Sequence, residues 1–172
     1  MKILIISDSH DNIANLEKVL AWAKENNVDA LIHAGDLSAP SILGKVIAPN
    51  FSGPIHLILG NVGDPILAKV VADKFPQVKY YGEQGEFEID GKKIALAHEP
   101  AKAESLIDSG NYDLVVYGHT HQAEVRTAGA TLVVNPGTVG GLFAPATFVV
   151  YNTETGAPEI KKSALCFSIL LR

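Results

Sequence analysis

The 172-residue sequence predicts an α/β fold in which a second sheet of short strands packs on a first sheet built from strand and helix repeats. Two observations predict it. Short apolar runs alternate with stretches of helical period through about residue 120, the pattern of parallel strands covered by helices. From Glu86 onward, short strand-like segments bounded by Gly or Pro intrude and recur at the end of the chain, and these call for a second sheet.

The elements follow in order. Ile3, Leu4, Ile5 and Ile6 form a first buried strand that stops at Ser7-Asp8. Asn12 is placed to cap a helix whose Ile13, Leu16, Leu20 and Ala23 recur near the 3.6-residue period. A second strand, 30–34, closes on Gly35-Asp36; a helix is predicted over 41–47; a third strand, 55–59, closes on Gly60-Asn61. Further helices are predicted over 65–74 and 101–109, the latter stopped by Gly110. Phe87 and Ile89, Asp90-Gly91, then Ile94 and Leu96 read as a hairpin with a tight turn. The strand 94–97 ends at His98, and 114–117 leads into Gly118-His119-Thr120-His121. Strands over 124–127, 131–135, 147–151 and 159–163 are assigned to the second sheet. The apolar tail 164–171 is expected to be a last strand of that sheet, with a homodimer contact as the alternative. The whole chain, 1–172, is expected to be one domain, long enough to bury roughly 70% of its unfolded surface.

Five strand ends deliver seven candidate metal ligands: Asp8, His10, Asp36, Asn61, His98, His119 and His121. Asp8 and His10, like His119 and His121, are two residues apart, a spacing that on an extended segment points both side chains the same way. In an open α/β sheet, ligands gather at the carboxyl ends of the strands, where all five motifs fall. Taken singly, an Asp after a strand is a turn former and a His beside an apolar run is a core residue. Taken together, five strand ends finishing in metal-competent residues describe a site. Mixed imidazole and oxygen ligation suits Mn, Fe, Zn, Co or Ni better than Ca or Mg alone. His33 and His56 lie inside their strand runs with no partner at ligand spacing and are expected to be hydrogen-bonded core residues.

In that order Asp8-x-His10, Gly35-Asp36, Gly60-Asn61, His98 and Gly118-His119-x-His121 resemble the calcineurin-like metallophosphoesterase superfamily. The short spacings and Asn135-Pro136-Gly137-Thr138 make the chain similar to its small bacterial and archaeal phosphodiesterase branch. The resemblance covers about residues 1–140. It implies a two-sheet sandwich flanked by helices and two divalent metal ions, with Mn the leading expectation. Asp8, His10 and His121 would hold one metal and Asn61, His98 and His119 the other, with Asp36 bridging. Asp36, Asn61 and His98 would carry the catalysis. The pair would clamp a phosphate and activate a water for in-line attack, with no protein nucleophile. The implied activity is hydrolysis of a small phosphate diester. The alternatives are a monoesterase, including a phosphoprotein phosphatase, and a non-catalytic scaffold like the relative found in the eukaryotic retromer complex.

The sequence departs from the family pattern at two places. Relatives commonly carry His or Cys directly after the Asn, whereas here Val62 follows Asn61 and has no proton to give a leaving alkoxide. Ala97-His98-Glu99-Pro100 stands where relatives often read His-Gly-His, so Glu99 is expected to be a charge at the site's rim. Asp11 is expected either to orient a ligand imidazole or to act as a helix-start acid.

Composition bounds the partners. Fourteen Lys and Arg against nineteen Asp and Glu give a net charge of −5, with no basic run. Stable binding to a nucleic-acid polymer is excluded on that balance, because phosphate neutralisation dominates such affinity. No apolar stretch approaches the roughly 20 residues of a membrane span, and the four aliphatic residues after Met1-Lys2 are too few for a signal peptide. The expected location is the cytoplasm. The single cysteine, Cys166, excludes an internal disulfide.

Overall fold

The computed structural model describes residues 1–162. Along the chain run β1 (Lys2–Ile6), α1 (Ile13–Glu25), β2 (Ala30–His33), a π-helical stretch Leu43–Ile47 that passes into α2 (Ala48–Asn50), β3 (Ile55–Leu57) and α3 (Pro65–Ala72). There follow β4 (Val78–Tyr80), β5 (Gln84–Ile89), β6 (Lys92–Ala97), α4 (Pro100–Ser109) and β7 (Leu114–Val116). The last are β8 (Ala123–Ala128), β9 (Thr131–Pro136), β10 (Thr147–Asn152) and β11 (Ala157–Lys162). Two mixed sheets result, β11-β10-β1-β2-β3-β4 and β5-β6-β7-β9-β8, and the predicted α/β sandwich flanked by helices is the observed architecture.

Strand alternation builds the four layers. Leu4, Ile6, Leu31, Ile55 and Leu57 face outward from the first sheet, onto Leu16, Val19, Leu20 and Ala23 of α1 and Leu43, Val46 and Ile47 of the π-helical stretch. The intervening residues Ile3, Ile5, Ala30 and Ile32 face the second sheet and meet Ile94, Leu96, Leu114, Val116 and Val134. On the far side Ala95, Ala97, Val115 and Val133 receive Ala103, Leu106 and Ile107 of α4. The alanines of β6 let that helix approach closely. Each fully buried Leu, Ile or Val contributes about 1.5–3 kcal/mol, so the two β1 faces alone anchor both layers.

Local signals behave as their chemistry dictates. The Asn12 side chain accepts the Asn15 N–H and starts α1. Asp64 caps α3 by accepting from Ile66 and Leu67, ahead of Pro65. Gly110 ends α4 in the left-handed conformation. Asp90 and Gly91, both at positive φ, close the two-residue β5–β6 hairpin, as type I′ geometry requires.

Three expectations are corrected. β10 and β11 extend the first sheet, β10 lying antiparallel beside β1, and do not join the second. β1 is covered on both faces, so its second backbone edge would be buried without partners; β10 supplies them and sends Phe148 to the helix layer and Val149 and Tyr151 between the sheets. β4 was not foreseen, because its three residues at the sheet edge alternate Val78, buried, with Lys79, exposed, too briefly to show a period. Ile13 sits in the first turn of α1 and is exposed, while Val19 takes its place in the buried stripe. No helix among the described residues is long and apolar enough to cross a membrane. The tail 164–171 and Cys166 lie outside the described residues.

Candidate metal centre

All seven candidate ligands converge where the carboxyl ends of β1, β2, β3, β6 and β7 meet, three of those strands from one sheet and two from the other. The means of convergence differs from strand alternation. The ladder stops at Ile6 and Val116, and the chain then curls: Asp8, His10, Asp36, His119 and His121 all have positive φ, between 41° and 71°. Each such residue costs of order 1–2 kcal/mol and persists only where its surroundings hold it.

Those surroundings are specific. Asn135 is buried and donates from Nδ2 to the Gly118 carbonyl and to Thr120 Oγ1, both at 3.0 Å, while its Oδ1 accepts the Gly137 N–H at 2.9 Å. Thr138 Oγ1 donates to the Asp8 carbonyl at 2.7 Å, and the Gly140 N–H donates to the same carbonyl. The close approach that Gly140 permits is therefore to the Asp8 backbone: a Cβ there would lie 2.9 Å from that oxygen. At Gly118 a Cβ would fall 2.0 Å from Ser7 Oγ and 2.7 Å from Asp8 Oδ2; at Gly60, 2.3 Å from Asp36 Oδ1. Only glycine lets these loops close on the carboxylates.

The donor atoms form two sets joined by Asp36. His121 Nε2 lies 3.1 Å from His10 Nε2 and 3.2 Å from Asp8 Oδ1. His98 Nε2 lies 2.9 Å from Asn61 Oδ1 and 3.2 Å from Asp36 Oδ1, and His119 Nδ1 lies 3.0 Å from the same Asn61 oxygen. Asp36 Oδ2 faces the first set, 3.8 Å from His10 Nε2. Asp8, Asp36 and His98 are buried and Asn61 and His119 exposed, so the centre opens to solvent on the Asn61 side.

The hydrogen bonds show that the centre is built for positive charge. His98 Nδ1 donates to the Ala34 carbonyl at 2.8 Å and His121 Nδ1 to the Leu142 carbonyl at 3.0 Å, since a carbonyl can only accept. The Nε2 lone pairs of both rings then face further acceptors, which is tolerable only with a proton or a cation between them. Asp8 Oδ1 is buried and has no hydrogen-bond partner among the described residues, although its partner oxygen accepts the His119 N–H. Donor atoms about 3.0–3.4 Å apart are what ligands at ~2.1 Å from one ion present, so the residues fit divalent cations. Without counting Asn61, two groups of three acidic or imidazole residues each bring their ligand atoms within 4.8 Å of one another: Asp8, His10, His121 and Asp8, Asp36, His98, with Asp8 in both.

Charge coupling agrees. Burial acts to raise the Asp36 carboxyl, but the hydrogen bond and charge of His98 and the Asn61 N–H hold it below its ordinary value. Burial acts to lower His98, and the Asp36 and Ala34 hydrogen bonds outweigh it, so that imidazole is raised. His33 is fully buried and burial pushes it down to about 3; it contacts Ser9 Oγ at 3.1 Å and accepts the Gly35 N–H, the core role expected of it. His56 is likewise internal, stacked on Phe87 and bonded to the Tyr81 hydroxyl at 2.8 Å. Asp11 orients no imidazole: its Oδ1 accepts the Ala39 N–H at 2.9 Å and ties the first ligand loop to the second. Asn135 and the Leu142 carbonyl went unassigned in the sequence. The Asn-Pro-Gly-Thr run flags the first, and nothing flags a backbone carbonyl.

Carboxylates and imidazoles gathered on strand ends above two sheets flanked by helices make a candidate metal site, and comparison with known proteins puts the protein in the class of metal-dependent phosphoric ester hydrolases. The calcineurin-like phosphoesterase superfamily domain matches residues 1–156, and the chain belongs to that superfamily. A Methanocaldococcus jannaschii phosphodiesterase is 32% identical over 158 residues, covering 90% of this chain and 94% of its own. The solved structure of an archaeal phosphodiesterase superimposes with a TM-score of 0.83 at 29% identity, covering 94% of this chain and 99% of that one. The zinc-complexed Vps29 of Entamoeba histolytica shares the fold, with a TM-score of 0.68 at 17% identity over 94% of this chain and 98% of its own.

Proposed function

We propose that the protein is a phosphodiesterase that hydrolyses a small phosphate diester with the help of two divalent cations, manganese foremost. The observation that carries this reading is Asp36, whose two oxygens face two separate donor sets, His10 on one side and His98 on the other. Asp8, His10 and His121 would hold one cation and Asn61, His98 and His119 the second, with Asp36 shared. When bound, two such cations would polarise the phosphoryl oxygens and lower the pKa of an attacking water.

The chain's own residues set the rest. Asp8 and Asp36 bring two negative charges against about four positive ones from the cations, and the neutral Asn61 amide adds none, so the centre keeps a net attraction for phosphate. The carbonyls of Ala34 and Leu142 fix which imidazole nitrogens face inward. Val62, beside Asn61, has no proton to donate, and general acid help is ordinarily worth about 10²- to 10⁴-fold. Diesters with a weakly basic leaving group, aryl or phosphoanhydride, are the substrates that need no such help. The jannaschii relative's activity on phosphodiesters, as its name states, supports diesters over monoesters.

Hydrolysis of a nitrophenyl phosphodiester and the matching monoester, by protein stripped of metal and reloaded with Mn, Ni, Zn or Mg, tests the proposal. Metal-dependent diester turnover that disappears in both Asp36→Asn and His98→Ala supports it. Preference for the monoester moves the assignment to a phosphatase. No turnover with any bound metal moves it to a scaffold.

A further inference from the structure

Phe143 is 99% exposed, the most exposed of the large apolar residues among those described, and it has a positive φ of 62°. A bare aromatic ring on a strained backbone gains nothing from internal packing. Its loop nevertheless holds it in place. On one side the Asn12 and Asn15 amides donate to the carbonyls of Gly140 and Val139, both at 2.9 Å. On the other, Thr147 bonds back to the Thr138 and Pro136 carbonyls. In between, the Leu142 carbonyl accepts from His121 Nδ1, and the Phe143 ring lies nearly parallel to the His121 imidazole, with centroids 6.1 Å apart and planes inclined by 25°. The opposite nitrogen of that imidazole faces Asp8 and His10.

We propose that Phe143 is a specificity-determining residue: its ring is the platform on which a planar aromatic substituent of the phosphate ester stacks while the phosphate lies at the adjoining centre. The inference rests on the reading of that centre as a phosphate site and adds the class of substrate, an ester carrying an aryl ring or a nucleobase. A ring anchored one residue from the Leu142 carbonyl stands in a fixed relation to the phosphate, because that carbonyl also sets His121. Stacking on an exposed aromatic tolerates any planar ring and is worth about tenfold in affinity.

Calorimetry on the Mn-loaded full chain tests this without turnover, with two pairs of probes of which one member carries a planar aromatic group and the other does not: adenosine 5′-monophosphate against ribose 5-phosphate, and phenyl phosphate against methyl phosphate. The wild type is expected to bind a ring-bearing member about tenfold more tightly. Phe143→Ala should erase the difference, Phe143→Trp should keep it, and inorganic phosphate should bind all three proteins alike. A gain in both pairs identifies any planar ring as the ligand, and a gain in the nucleotide pair alone identifies the base. Equal affinities within both pairs for the wild type would overturn the proposal. So would a Phe143→Ala loss that extends to inorganic phosphate, which would mean that the residue only shapes His121. Ring preference without diester turnover would sink the phosphodiesterase reading and leave this one standing; turnover without ring preference would do the reverse.

Discussion

Replacing Asn135 by Ala perturbs the double-histidine loop without touching a ligand. The substitution deletes three hydrogen bonds: two donated to Gly118 O and Thr120 Oγ1, and one accepted from the Gly137 N–H. Thr120 is exposed and regains water, and the buried Gly118 carbonyl still accepts the Thr120 N–H at 2.8 Å, whereas the buried Gly137 N–H loses its acceptor. A buried group left without a partner costs about 1–3 kcal/mol, so a loss of about 1–3 kcal/mol is expected, nearly all of it from the Gly137 N–H. The same loop holds His119 and His121 at positive φ, and loosening it should weaken metal affinity by about 10- to 100-fold. Urea unfolding in a chelator reads the first effect, and Mn titration of the stripped protein reads the second. Asn135→Asp is the sharper probe: it keeps the acceptor for Gly137 but sets a carboxylate against the Gly118 carbonyl, so it should be no better than Ala. Stability within about 0.5 kcal/mol of wild type, with unchanged Mn affinity, would refute the claim that Asn135 pins the loop.

Other consequences follow from the same geometry. Gly118→Ala places a Cβ 2.0 Å from Ser7 Oγ, so about 1–3 kcal/mol should be lost in urea unfolding, and Ser7→Ala in the same chain should restore part of it. Burial holds His56 down to about 4, so the folded chain keeps it neutral while the unfolded chain takes up a proton near 6.5. The stability this contributes is complete above 6.5 and disappears as pH falls towards 4. It amounts to about 1–2 kcal/mol after allowance for partial solvent contact, and His56→Phe should flatten that part of a pH–stability profile. Val62→His should raise kcat on an unactivated alkyl diester by about 10-fold or more and leave a nitrophenyl diester nearly unchanged. Equal gains on both would remove the explanation given for Val62.

The legibility of this chain depends on which property carries the information. Strands ending in Asp8, Asp36, Asn61, His98 and His119 are readable because burial forces apolar runs and the ligand types that follow them are distinctive. The left-handed backbone that aims those ligands is not readable, since Asp and His residues at positive φ leave no period in the sequence. Asp11 shows the limit of inference from proximity: beside His10 in sequence, it bonds the Ala39 N–H across the site. The placement of β10 turned on the unpaired edge of β1, a long-range backbone requirement that local alternation in 147–151 does not encode. His33 and His56 were separable from the ligands because they sit within their strands, where side chains point into packed layers.

The most direct test of the two-cation account is the stoichiometry of Mn binding to the stripped chain, measured beside diester hydrolysis. Two Mn ions per chain in the wild type are predicted, with turnover rising as the second is taken up, and weakened binding of both in Asp36→Asn. One ion per chain at full activity, or hydrolysis that persists in chelator, would contradict it.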